Sequence, residues 1–156
     1  MGDTPKTYDP GDLPDRLRQA LEHWKRLKGA RALPLRSAFD PLDVPSLLPH
    51  LLMVEVVRDG QDQPFKDFRF RLVGTYIDDR VKDSYTGKRL SEIEGKGPGS
   101  EVWNAYSEVE ASGTPKLLSL NYIGPMDGIK KSWEIFLPFS IQGECVDFIL
   151  VLIEFD

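Results

Sequence analysis

The residues most suggestive of chemistry follow a strand-like segment. In the stretch DFRFRLVGTYIDDR, residues 67–80, Gly74 and Thr75 stand between an alternating segment and a helix-like one. Many phosphate-binding sites begin in this way, because backbone amides at the N-terminus of a helix attract anions. Here Asp78 and Asp79 bring two negative charges to the first helical turn, and these charges repel a phosphate. We therefore predict that Gly74 turns the chain sharply and that Thr75 caps the next helix, with no nucleotide bound.

The sequence offers little support for metal or nucleophile chemistry. The two histidines, His23 and His50, lie in different segments with no carboxylate or cysteine at ligand spacing. The single cysteine, Cys145, has no adjacent base to activate it and cannot form an internal disulfide. We predict neither a catalytic set nor a metal site, and we expect that the protein is not an enzyme.

The aromatic side chains are better candidates for a ligand site. Large rings with polar tips line small-molecule pockets, although they also fill ordinary cores. The residues that we expect to line a site between a sheet and its covering helices are Phe70, Leu72, Tyr76, Tyr85, Trp103, Tyr106 and Trp133. A ligand pocket and a core filled by side chains are both compatible with this pattern.

The bulk composition is typical of a soluble protein of one domain. The chain has 156 residues, of which 40% are hydrophobic and 29% are charged, and its formal net charge is −5. A negative charge opposes binding to nucleic acid phosphates, which requires lysine and arginine. The longest apolar run, CVDFILVLIEF, is interrupted by acidic residues and is too short to span a bilayer. With no signal peptide pattern at the N-terminus, we expect a cytoplasmic protein that binds neither nucleic acid nor membrane.

A disordered tail and an amphipathic helix are predicted at the N-terminus. Residues 1–11 are polar and rich in proline, and a helix is predicted over residues 12–29, with Asp12 as its cap and Gly29 at its end. Apolar residues recur in the helix at spacings of three and four, which predicts one apolar stripe along it. The stripe includes Leu17, Leu21, Trp24 and Leu27.

The remainder of the chain predicts an α+β fold. Residues 51–57 and 67–73 have the pattern of a hairpin, and in the second strand the alternation places Phe68, Phe70 and Leu72 on one face. Short helices follow, and then a clear helix that begins at Ser100 and stops at Gly113. Three strand-like segments close the chain, at residues 115–123, 130–140 and 145–155. This order predicts one antiparallel sheet with helices on one face.

Several short motifs are spread along most of the chain. They are Trp24, LPLR at 33–36, FDP at 39–41, LLP at 47–49, FRFRLVGT at 68–75, YTG at 85–87 and LPFS at 137–140. Together they resemble the motifs of a bacterial family of stand-alone PAS-like proteins. The chain departs from the family pattern at Val81 and Lys82, where a glycine is expected, and at Glu55, where an aspartate is expected. The resemblance implies a PAS-like domain over residues 30–156, with a five-stranded antiparallel sheet cupped by short helices and an extra helix outside the core.

The resemblance also implies a function. Such domains sense small molecules or bind proteins, commonly dimerise through the extra helix, and seldom catalyse reactions. We therefore expect a non-enzymatic sensory or protein-interaction module in bacterial signalling, which forms a homodimer or binds a signalling protein through the stripe of Leu17, Leu21, Trp24 and Leu27. Because no effector domain follows Asp156, we also expect contacts through the strand at 145–155 to carry the output.

The sequence does not identify a cofactor. Flavin photochemistry of the light-sensing type requires a reactive cysteine in the crossover, and haem requires a histidine on the helix SEVWNAYSEVEASG, and neither residue is present there. We expect an uncharged or aromatic ligand, or a site filled by side chains. The alternative function is a small-molecule carrier or enzyme of a cone-shaped α+β fold. That alternative requires convergent polar residues with a perturbed acid or histidine, and the sequence shows no such set.

Overall fold

A single antiparallel sheet of five strands organises the part of the chain that the computed structural model describes, which is residues 13–58, 66–122 and 124–155. The strands are β1 (Leu51–Val57), β2 (Asp67–Val73), β3 (Lys116–Asn121), β4 (Lys131–Phe139) and β5 (Phe148–Phe155). Their order across the sheet is β2-β1-β5-β4-β3, and every neighbouring pair is antiparallel. The predicted α+β class and the predicted five-stranded antiparallel sheet are both confirmed.

The last strand lies at the centre of the sheet. Val151 of β5 pairs with Leu52 of β1 on one side and with Phe136 of β4 on the other, so β5 joins the first hairpin to the later strands. Residues 149–153 are all buried. Because both edges of β5 are paired and its side chains are covered, the expectation that this strand offers a contact surface for a partner is wrong.

Helices cover the two faces of the sheet. They are α1 (Asp15–Lys28), α2 (Thr75–Asp78) and α3 (Glu101–Ser112), with single 3₁₀ turns at Arg36–Ala38, Pro41–Asp43, Leu48–His50 and Leu90–Glu92. The hydroxyl of Ser100 accepts a hydrogen bond from the Trp103 amide at 3.2 Å and so caps α3, and Gly113 ends this helix in a left-handed conformation, as predicted. The predicted tail at 1–11 and the predicted cap Asp12 lie outside the described residues.

Helix α1 packs against the sheet of its own chain. Leu17 and Trp24 are buried in one apolar cluster with side chains of β1, β4 and β5, among them Leu51, Leu137 and Leu150. The indole of Trp24 donates a 2.7 Å hydrogen bond to the carbonyl oxygen of Pro138 in β4. The apolar stripe read from the sequence therefore covers one face of the sheet.

Helix α3 covers the opposite face. Val102, Ala105, Tyr106 and Val109 of α3 are buried in the second apolar cluster. The sheet contributes alternate residues of its strands to this cluster, including Val54, Phe70, Phe136 and Val151. We call the layer between α3 and the sheet the α3 side, and the layer under α1 the α1 side.

A β-bulge in the first hairpin changes the face on which Leu72 lies. The register of β1 and β2 shifts between Met53 and Val54, so that Met53 pairs with Leu72 while Val54 pairs with Phe70. The extra residue at Arg71 breaks the alternation. Phe70 therefore packs on the α3 side and Leu72 packs on the α1 side. The expectation that Phe70 and Leu72 share a face is wrong for this reason.

Gly74 serves a close approach between two backbone segments. Its φ of −66° and ψ of 150° are available to any residue, so the predicted sharp turn is not what requires glycine. A Cβ atom at this position would lie 2.1 Å from the carbonyl oxygen of Pro49. The N-terminus of α2 also has no side-chain cap, so the predicted capping role of Thr75 is wrong.

Candidate functional site

Four of the predicted ligand-site residues come together on the α3 side. Phe68 of β2 lies 5.2 Å from the ring centroids of both Trp103 and Tyr106, and Tyr106 meets Phe136 edge-on at 4.9 Å. The rings of Phe70 and Tyr85 lie 5.1 Å apart in the same cluster. These are the separations of favourable aromatic pairs. Phe70, Tyr85, Trp103 and Tyr106 therefore form part of one layer of rings between α3 and the sheet.

The other three predicted residues make different contacts. Leu72 and Trp133 pack on the α1 side, away from the four rings. Tyr76 lies beside the α3 side, but its ring stacks on His50 at 3.9 Å. The predicted place of Trp133 is wrong because side chains alternate along β4. Trp133 and Phe136 therefore lie on opposite faces of the sheet.

A buried acid, Glu134, stands at the edge of the layer of rings. Its side chain is 6% exposed, and its cross-strand neighbours are Leu118 on β3 and Ile153 on β5. The hydroxyl of Ser132 donates a 3.3 Å hydrogen bond to Oε2 of Glu134. Burial raises the pKa of Glu134, because the carboxylate has exchanged water for apolar neighbours.

Sequence reasoning missed Glu134, although a signal for it was present. Strict alternation along β4 places Ser132, Glu134 and Phe136 on one face, and Trp133 and Ile135 on the other. Phe136 packs in the layer of rings, on the face that α3 covers. Its face therefore had to carry an acid two residues earlier.

Three further polar groups are coupled to this carboxylate: one changes the pKa of Glu134, and the pKa values of the other two are changed by its charge. The ammonium of Lys96 opposes the effect of burial and lowers the pKa of Glu134. Burial raises the pKa of Tyr85 to about 12, with the negative charge of Glu134 as the next cause. The same two causes, in the same order, raise the pKa of Tyr106. Both phenols are therefore neutral hydrogen-bonding groups at neutral pH.

Lys96 lies close to one of the rings. Its Nζ is 6.0 Å from the centroid of Tyr85, at the limit of a cation–π contact. Lys96 belongs to the turns that join α2 to α3, as does Tyr85. Glu134, Lys96, Tyr85 and Tyr106 together form what we call the Glu134 cluster. Its chemistry is that of a carboxylate with aromatic walls, which suits recognition of a hydrogen-bond donor or a cation.

A second polar group lies at another part of the sheet. The Nδ1 atom of His50 is 3.1 Å from the carbonyl oxygen of Ile153, which accepts a hydrogen bond from it, and the His50 ring is 6% exposed. Burial lowers the pKa of His50. The guanidinium of Arg80 lies 3.6 Å from the centroid of Tyr76, which stacks on His50. This group ties α2 to β5.

A small cavity lies on the α1 side, between α1 and the sheet. Its volume is about 10 Å³, and its lining includes His23, Trp24 and Phe39. The Nε2 atom of His23 is buried without a hydrogen-bond partner. This space fits about one water molecule. Among the described residues, no three His, Cys, Asp or Glu side chains are grouped in a way that would hold a metal ion.

Comparison with known proteins assigns the family. A family model for the PAS domain matches residues 14–149. The chain belongs to the PAS domain family. No match was found among the curated proteins or among the solved structures. The match begins at the start of α1, so in this PAS domain the first helix falls within the matched region.

The predicted partner surface of this PAS domain is partly occupied within the chain. Leu17 is fully buried and Trp24 is 5% exposed, and both contact the sheet, while Leu21 and Leu27 are half-buried beside them. That these four residues contact a second protein stays a prediction. None of the helices in the described ranges has the length and apolar character that crossing a membrane requires.

Proposed function

We propose that this PAS domain is a sensory module in bacterial signalling that binds a small molecule on the α3 side, at the Glu134 cluster. PAS domains are in general sensory or interaction modules, and the family match supports that part directly. The observation that carries the ligand site is the burial of Glu134 among aromatic side chains. The site residues would be Phe70, Tyr85, Trp103 and Tyr106, together with Glu134 and Lys96.

The burial of Glu134 lowers the stability of the folded protein as long as no ligand is bound. A carboxylate that leaves water requires several hydrogen bonds or a close cation to recover its solvation. Its hydrogen bond from Ser132 is long, at 3.3 Å, and the charge of Lys96 only partly offsets the effect of burial on its pKa. Buried acids with raised pKa values are concentrated at functional sites. A bound molecule that donates hydrogen bonds would supply the missing solvation.

The covering segment provides a way into the site. Between α2 and α3 the chain runs from Asp79 to Ser100, and its helical structure there is the single 3₁₀ turn Leu90–Glu92. This segment carries both Tyr85 and Lys96. Displacement of these two side chains is the route to Glu134 that we propose for the ligand. Movement of the same segment would report the binding to a partner protein.

The output is proposed to pass through protein contacts, in a homodimer or with a signalling protein. The partner surface would be centred on α1, through the parts of Leu21 and Leu27 that remain exposed. Light scattering on the purified protein tests this proposal, and a dimer is expected. Deletion of residues 1–28 removes both the surface and the cover of Leu51, Leu137 and Leu150, so the truncated protein is expected to be insoluble or monomeric. A truncated protein that stays soluble with an unchanged oligomeric state would contradict the role of α1.

Chemical shift mapping tests the ligand site. The ¹⁵N-labelled protein is incubated with an extract of bacterial small molecules, and the amide signals are compared before and after. Shifts are expected along β4, around Glu134, and in the segment that carries Tyr85 and Lys96. Native mass spectrometry of the same sample gives the mass of the bound molecule. Shifts confined to α1 and its cavity, or no shifts at all, would contradict a ligand site on the α3 side.

The alternative function required a different fold. A carrier or enzyme with a cone-shaped α+β fold was the second expectation, whereas the family match gives a PAS domain. PAS domains are generally non-enzymatic sensory modules. The Glu134 cluster does contain the perturbed acid that the alternative required, and in a PAS domain this acid is better explained as a ligand contact.

A further inference from the structure

Lys96 brings a positive charge to the edge of the aromatic layer on the α3 side. Its Nζ lies 6.0 Å from the centroid of the Tyr85 ring, and its positive charge lowers the pKa of Glu134 against the larger effect of burial. Lys96 is half-buried, and its amide donates a 3.0 Å hydrogen bond to the carbonyl oxygen of Ile93 within a surface turn. The side chain reaches the aromatic layer from outside the sheet, as a bound amine would.

We propose that Glu134 and Tyr85 form a cation site, that Lys96 is its internal occupant, and that the ligand of this PAS domain is an organic ammonium that competes with Lys96. This inference rests on the proposed ligand site and adds the class of the ligand. The ammonium of the ligand would pair with Glu134, and its apolar body would lie against the rings of Tyr85 and Tyr106.

The chemistry of the site selects for this class. A carboxylate and the faces of electron-rich rings both attract an ammonium, and each attraction strengthens where water is excluded. Leu118 and Ile153, which flank Glu134 across the sheet, accept an apolar body. An anionic ligand meets the charge of Glu134 and is repelled. The uncharged ligand expected from the sequence could donate hydrogen bonds to Glu134 but would bring no positive charge to it, so it would pair with the carboxylate less strongly.

Competition with Lys96 would couple binding to a change of shape. Gly95 and Gly99 flank the lysine with φ values of 80° and 94°, conformations that glycine adopts readily and other residues rarely adopt. Release of the Lys96 side chain frees this turn to rearrange. The turn lies on the surface, so the rearrangement is accessible to a partner protein.

Three probe molecules of one shape separate charge from size. Phenethylamine is the cationic probe, 2-phenylethanol is its neutral counterpart, and phenylacetate is an anion of the same ring. Binding is measured by calorimetry and by chemical shift mapping on the full chain at pH 7. Phenethylamine is expected to bind at the Glu134 cluster more tightly than 2-phenylethanol, by about tenfold or more, because a hydrogen bond between an ammonium and a carboxylate is stronger than one between a hydroxyl and a carboxylate. Phenylacetate is expected not to bind there.

Two variants are expected to have opposite effects. Glu134→Gln keeps the shape of the side chain, removes the charge, and is expected to weaken phenethylamine binding by about tenfold or more. Lys96→Gln removes the internal competitor and is expected to tighten binding. Lys82→Gln is the matched control, because Lys82 is exposed in the same segment and does not act on Glu134, so its effect should stay within about twofold. Weaker binding in Lys96→Gln, or equal binding of the neutral probe, would overturn the proposal.

A measurement without ligand tests the role of Lys96 independently. If Lys96 is the occupant, Lys96→Gln raises the pKa of Glu134 in an NMR titration, and Lys82→Gln leaves it unchanged. An unchanged pKa of Glu134 in Lys96→Gln would overturn the proposal even where the probes bind. If another class of molecule shifts the amides of the α3 side and phenethylamine does not, the cation site is wrong and the proposed function survives. If nothing shifts these amides, both fail.

Discussion

The indole nitrogen of Trp24 hydrogen-bonds to the carbonyl oxygen of Pro138 over 2.7 Å, across a separation of 114 residues in the chain. This contact fastens α1 to β4 on the face of the sheet that α3 does not cover. Leu17 and Ala20 of the same helix are buried on that face as well. The first helix is therefore structural within a single chain, whatever further contacts it makes.

Substitution Trp24→Phe is expected to destabilise the protein. It removes the donor and leaves the Pro138 carbonyl without its partner in a buried place, which costs about 1–3 kcal/mol in the free energy of unfolding. Urea unfolding measures the loss. Trp103→Phe is the matched control, because Trp103 is half-buried on the other face and packs edge-on against Phe68. Equal losses in the two variants would show that the hydrogen bond of Trp24 contributes nothing.

Alanine is expected not to fit at Gly74. Its Cβ would lie 2.1 Å from the carbonyl oxygen and 2.4 Å from the carbonyl carbon of Pro49, and backbone atoms cannot move aside as the end of a side chain can. We expect Gly74→Ala to lower the free energy of unfolding by about 3 kcal/mol or more. In the control Gly97→Ala, the nearest atom in range is the carbonyl oxygen of Ser91 at 3.8 Å, an ordinary contact. A stable Gly74→Ala protein would contradict the close approach.

Periodicity in the sequence was sufficient to predict the strands and the sheet. The apolar, β-branched segment at 51–57, the alternating segment at 67–73 and the three late strand-like segments correspond to β1, β2, β3, β4 and β5 within a few residues. The spacing of apolar residues in the first helix also correctly indicated a buried stripe. These features follow from local patterns, because a strand or helix with one buried face repeats its side chains at a fixed period.

The predictions failed where a single inserted residue changes that period, or where contacts between distant segments determine the role of a residue. The bulge at Arg71 moves Leu72 to the α1 side, and nothing in the residue types marks it. The tight approach of Gly74 to Pro49 depends on segments that are far apart in sequence. The alternation of β4 places Glu134 on the same face as Phe136, and the prediction of Trp133 as a site residue did not follow that alternation. An acid on an apolar face was the informative residue, since a polar group is rarely buried without a reason.

Replacement of Glu134 by glutamine is expected to change how stability depends on pH. Burial raises the pKa of Glu134 in the folded protein above its value in the unfolded chain, so the folded state holds this proton more tightly. The stability that this group contributes is therefore full below the unfolded pKa and is lost as pH rises through the folded pKa. Each unit by which the pKa is raised costs about 1.4 kcal/mol at neutral pH. Glu134→Gln removes this loss.

The measurement compares unfolding free energies at acidic and neutral pH. Relative to the wild type, Glu134→Gln is expected to gain stability as the pH is raised from 4 to 7. Glu94→Gln serves as the control, because Glu94 is exposed on the segment that also carries Lys96, and its curve should follow the wild type. A stability difference between Glu134→Gln and wild type that does not vary with pH would mean that Glu134 titrates as it does in water.

The pKa values of the two histidines, His23 and His50, are expected to lie below that of a free histidine. Burial lowers the pKa of both His23 and His50 below the usual 6.5. The folded protein therefore favours the neutral rings, and their contribution to stability is lost as pH falls from 6.5 through the lowered values. NMR titration of the ring protons measures both, with His23→Gln to assign the signals.

Arg16 allows the environment of His50 to be changed selectively. Its guanidinium pairs with Glu154 at 2.8 Å, and its positive charge helps to lower the pKa of His50, behind the larger effect of burial. We expect Arg16→Gln to raise the pKa of His50, because one repulsive charge is gone and Glu154 is left free to stabilise the imidazolium. His23 in the same sample is the internal control, since Arg26 and not Arg16 is the cation that lowers its pKa. A parallel shift of both histidines, or none at His50, would show that α1 does not act on the end of β5 through this pair.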